Sequence, residues 1–89
     1  SVSREELENY LYRATYSILR RALDEFAGDS PVGEEEKKFI ADFYKFAFVG
    51  VELDWLRSGL RESPEELAGK LNRLLNGQFD LALKNLSRD

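Results

Sequence analysis

Asp54 is the one sharply placed carboxylate in this chain. On a helix it shares a line with Phe43, Ala47 and Gly50, so it sits on an otherwise apolar row. An acid on such a row must find a cation or hydrogen-bond donors, or shift its pKa. Two readings stay open. Asp54 is either a ligand contact or a salt bridge to a second subunit, or a half-exposed acid near a helix end with an Arg or Lys partner. Glu52 falls instead on an arc with Lys45 that reads as solvent-facing. Tyr10, Tyr12, Tyr16 and Tyr44 carry hydroxyls that either orient a small apolar ligand in a helical cavity or keep the rim of a small core wet.

The remaining catalytic chemistry is thin. With no His and no Cys, the chain cannot hold a Ser-His or Cys-His pair, a histidine or thiolate metal site, or a disulfide. Asp42 and Glu52 lack a convergent partner for acid-base work. The acidic runs lack the spacing of a calcium loop, and no glycine loop suits a phosphate. A compact helical enzyme of the chorismate-mutase kind would need arginines converging on a dicarboxylate, whereas these are scattered along polar faces. The expectation is therefore a non-enzyme without cofactor or metal.

Charge narrows the partners. Seventeen acidic and 13 basic residues give a net charge of -4, against the concentrated basic surface that nucleic acid requires. Arg20-Arg21 and Lys37-Lys38 are isolated pairs that read as solvated helix faces. No apolar run approaches the roughly 20 residues that span a bilayer, and Ser3-Arg4-Glu5-Glu6 does not open a signal peptide. The first residue is not Met, as in a fragment, a processed form or an excised domain. At 89 residues and 43% hydrophobic content the chain is one small domain, of a size that often supplements its core by oligomerising.

Gly and Pro are confined to a few places and no period-two alternation is sustained, so three helices are expected, over about 4–27, 34–58 and 64–86. Ser3 with Glu6 and Ser63 with Glu66 are capping boxes. Gly28 and Gly59 stand where helices close, and Pro64 suits a first helical position. The third helix is expected to continue through Asn76-Gly77, because its apolar rhythm carries on to Leu86.

The second helix is unusual. Wound at about 100 degrees per residue, it shows three apolar rows: Phe43-Ala47-Gly50-Asp54, Tyr44-Phe48-Val51-Trp55, and Phe46-Val49-Leu53-Leu56-Leu60. Only an arc of Lys38, Lys45 and Glu52 remains for water. Two companion helices cannot easily cover three rows; a second copy of the chain can. Gly50 costs about 1 kcal/mol relative to alanine within a helix. With Ala47 it would compensate by admitting another helix closely, either from a second copy or within the same chain.

Phe43-Tyr44, the small-residue stretch from Ala47 to Gly50, Trp55-Leu56 and Gly59 together resemble the eighth helix of tetracycline-repressor (TetR) family transcription regulators. Glu62-Ser63-Pro64-Glu65-Glu66-Leu67-Ala68, followed by Leu71, Leu74 and Leu75, resembles their ninth. The resemblance implies an all-α, three-helix antiparallel domain, its last two helices forming an intersubunit four-helix bundle. It implies a bacterial, cytoplasmic, ligand-responsive regulator that works as a homodimer. Phe43, Ala47, Gly50, Asp54, Leu71 and Leu75 would line the dimer interface. Tyr12, Tyr16, Phe46 and Leu53 would line a pocket for a small apolar effector. The family's helix-turn-helix is missing from this chain, so DNA would be reached only through that missing domain. A free-standing module that binds a partner helix through the same rows is the alternative.

Overall fold

A computed structural model describes residues 2–87. Helix α1 spans Arg4–Ala27, α2 Glu34–Arg57, α3 Pro64–Leu74 and α4 Gln78–Asn85. The fold is all-helical across the described residues. Local chemistry sets the first and third starts. The Ser3 hydroxyl accepts from the Glu6 amide at 3.1 Å while the Glu6 carboxylate accepts from the Ser3 amide at 3.2 Å. Ser63 and Glu66 repeat the exchange at 3.1 and 2.9 Å. Helix α2 has no side-chain cap, and its first turn carries Glu34, Glu35 and Glu36 against the positive end of the helix dipole.

The expected third helix is in fact two. It breaks between Leu74 and Gln78, with Gly77 left-handed at φ 82°. The break has a packing reason. No residue of α3 is buried, whereas Leu83 of α4 is buried and Phe79 and Ala82 pack against the core. A straight helix cannot serve both segments, and glycine takes the required positive φ at no steric cost. A second surprise lies upstream. Leu60 also adopts a positive φ, 58°, just after Gly59 at 86°.

Helices α1 and α2 run antiparallel, since Glu8 meets Arg57, Thr15 meets Glu52 and Asp24 meets Lys37. The buried line of α1 is Thr15, Leu19, Leu23 and Ala27, at the i, i+4 spacing of one helix face. It closes on Ile40, Ala41 and Val49 of α2, with Val32 from the connecting turn and Leu83 from α4. At one end Arg20 pairs with Asp24 and Glu34 while Lys37 bridges the same two acids at 3.1 and 3.3 Å. At the other end Trp55 donates its indole N–H to the Glu62 carbonyl at 2.8 Å and fixes the turn into α3.

One arc was misassigned by periodicity alone. Lys45 and Glu52 face α1 rather than water, and only Lys38 of that trio remains mostly exposed. Long polar side chains can pack their stems on a neighbouring helix while their heads find partners, so polarity did not mark the outside here.

Candidate functional site

Turning the polar arc inward leaves an apolar face outward. Phe39, Phe43 and Phe46 are 66%, 63% and 59% exposed, with Ala47, Gly50 and Asp54 exposed beside them. Phe39, Phe43, Ala47, Gly50 and Asp54 recur every three or four positions and form one stripe along α2, with Phe46 flanking it. A contiguous aromatic stripe beside small residues is a mark of a covered surface rather than scattered surface apolarity. Phe43 meets Tyr44 edge-on at 5.3 Å, and Tyr44 meets Phe79 at 5.1 Å, which ties the stripe to α4 beneath it.

Gly50 lies in the middle of this stripe. A Cβ added there would meet nothing within 4 Å among the described residues, so no described element of the chain needs its smallness. Asp54 is exposed and makes no ion pair among the described residues; Arg61 lines the same small cleft. The six expected interface residues therefore divide. Phe43, Ala47, Gly50 and Asp54 share the open face, whereas Leu71 and Leu75 are half-buried and turn over a groove beside α1. Phe39 belongs to the stripe and had a signal in the sequence, four positions before Phe43.

That groove is an apolar hollow. It holds about 460 Å³ between α1 and the α3–α4 segment, walled by Ile18, Phe26, Phe48, Leu71, Leu75 and Phe79. Asn72, Asn76 and Asp80 supply its polar edge, and no cation lines it. Ile18 is 64% exposed, so the α1 wall is open as well. Sequence reasoning missed the groove because it arises from the break at Gly77, which carries Phe79 away from the line of Leu71 and Leu75.

The expected pocket residues lie on a different side. Tyr12 and Phe46 meet edge-on at 5.7 Å, and Tyr16 stands near them around the Lys45 ammonium. Leu53 is half-buried two turns along α2 and lines no cavity among those described. Between α1 and α2, Thr15 and Glu52 form a partly buried pair, with the hydroxyl 3.2 Å from both carboxylate oxygens. Burial raises the Glu52 carboxyl above its ordinary range, opposed by the Thr15 hydrogen bond.

A family model described as "Transcriptional regulator C-terminal region", of the TetR type, matches residues 1–77. The chain belongs to the TetR family. The match covers α1, α2 and α3 and ends at Gly77, where the left-handed residue hands over to α4. Neither the curated proteins nor the solved structures compared with this chain gave a match. A TetR-family C-terminal region is a regulatory unit, and the stripe on α2 and the groove beneath α3 are this one's two prominent apolar surfaces. No helix among the described residues is long and apolar enough to cross a membrane.

Proposed function

We propose that this chain is the dimerisation and effector-sensing part of a cytoplasmic bacterial TetR-like regulator. DNA contact belongs to a helix-turn-helix unit elsewhere in the same protein. The observation that carries the reading is the open α2 stripe, where a Cβ added at Gly50 would meet nothing within 4 Å among the described residues. Two copies related by a two-fold axis would cross there, each covering the other's Phe43 and Ala47, with Asp54 at the edge. Close approach at Ala47 and Gly50 would offset the helical cost of the glycine. Leu71 and Leu75 take part as the second layer behind the crossing.

The groove under α3 suits the small apolar effector better than the Tyr12–Tyr16 side, because it is larger in apolar surface and carries no charge except Asp80. Helix α3 has no buried residue, so filling the groove would order it. An effector would thereby bias the geometry of the α2–α3 pair, and with it the spacing of DNA-binding units carried by two subunits.

The native chain has no cysteine, which permits a clean test. Under mild oxidation Gly50→Cys should cross-link to a covalent dimer on a non-reducing gel, while Arg21→Cys on the exposed back of α1 should not. Equal cross-linking at both positions, or none at Gly50→Cys, would count against the crossing.

A further inference from the structure

The outer cleft between α1 and α2 has a chemistry that the groove lacks. Tyr12, Arg13 and Tyr16 wall one side and Lys38, Asp42 and Lys45 the other, around about 460 Å³. Three cations thus face one carboxylate in a chain whose net charge is -4. Asp42 is shared, with one oxygen 2.7 Å from Lys38 Nζ and the other 3.2 Å from Lys45 Nζ. Each ammonium has three donors, so both keep some for another acceptor. Arg13 makes no ion pair among the described residues, which leaves its guanidinium fork uncommitted.

The walls are as informative as the charges. Lys45 Nζ lies 4.7 Å from the centre of the Phe46 ring, 5.8 Å from Tyr12 and 5.9 Å from Tyr16. An ammonium held among rings is partly stripped of water, and an anion placed beside it interacts more strongly than at an open surface. Tyr12 and Tyr16 line the cleft with ring surface on which a second aromatic group can lie.

We propose that this cleft binds a small aromatic anion, with its carboxylate or phosphate held by Lys45 and Arg13 and its ring against Tyr12 and Tyr16. The groove under α3 has no cation and faces the other side of α1, so the two hollows select ligands of different charge. The cleft does not depend on the dimer or on the apolar effector.

Calorimetric titration of the whole chain with 1-naphthoate, 1-naphthyl phosphate and the neutral 1-naphthamide tests the assignment. At least one anion should bind, the amide should bind about tenfold or more weakly, and rising salt should weaken only the anion. Preference between the two anions assigns the head group and supports the cleft in either case. Lys45→Gln and Arg13→Gln should each weaken the anion about tenfold without changing amide binding. Arg13→Gln breaks no internal ion pair, and an unchanged circular dichroism spectrum shows that its loss of binding is not loss of fold. Equal affinity for acid and amide, wild-type affinity in both variants, or no binding of either anion overturns the proposal.

Discussion

The Thr15 hydroxyl donates to Glu52 across the α1–α2 interface and lies 3.2 Å from both carboxylate oxygens. It is the only hydrogen bond to Glu52 found among the described residues, and no cation shares the acid. A hydroxyl offers one proton, so a half-buried charge is left undersatisfied. Replacing it by Glu52→Gln keeps an acceptor for Thr15 and removes the charge. The variant should be more stable than wild type near neutral pH by a few tenths to about 1 kcal/mol. Thermal melts at neutral pH check this; a less stable variant would show that Glu52 has a stabilising partner.

The pH dependence has two opposed parts. A raised carboxyl favours the folded state below its ordinary range and loses that contribution as pH rises through the folded value, so the Glu52→Gln advantage should disappear in acid. Asp24 and Glu34 behave oppositely. Lys37 holds the Asp24 carboxyl low, and Arg20 holds Glu34 low. Their contribution is present above the ordinary carboxylate range and lost as pH falls through the lowered values. Both acids are well exposed, so the loss should be small and should shrink in high salt. Denaturant titrations in acid at low and high salt read it directly.

Two glycines should respond in opposite directions to the same change. Gly77→Ala forces alanine to φ 82° and should cost about 1 kcal/mol. Gly50→Ala meets nothing among the described residues and should gain up to about 1 kcal/mol at dilutions where the chain is monomeric. At higher concentration Gly50→Leu should weaken self-association about tenfold or more by propping the crossing apart. Melts across a concentration series separate these effects.

Leu60 is a leucine in the left-handed region and half exposed. Leu60→Gly should leave the fold intact and gain about 0.5 kcal/mol, the release of steric cost outweighing the added freedom of the unfolded chain. A loss above about 1 kcal/mol would mean that the Leu60 side chain packs against something essential.

Capping and periodicity made much of the architecture legible in the amino-acid order alone. Ser3 with Glu6, Gly28, Ser63 with Glu66 and Pro64 mark helix ends through bonds made within a few residues, which local sequence encodes directly. The break at Gly77 was hidden because it depends on where Phe79 and Leu83 must go, a matter of packing rather than local preference. Periodicity found the rows of α2 but not which arc faced inward. Lys45 and Glu52 looked like surface, yet ring contacts and the Thr15 hydroxyl draw them towards α1. The same rotation exposes Phe39, Phe43 and Phe46, so the candidate interface was visible as residues and not as a surface.

Self-association through that surface is the central claim. Sedimentation equilibrium of the wild-type chain at micromolar concentration, beside Ala47→Glu on the exposed α2 stripe, measures it most directly. The wild type should run as a dimer and Ala47→Glu as a folded monomer. A wild-type chain that stays monomeric throughout the micromolar range, or a variant that dimerises as well as wild type, would contradict it.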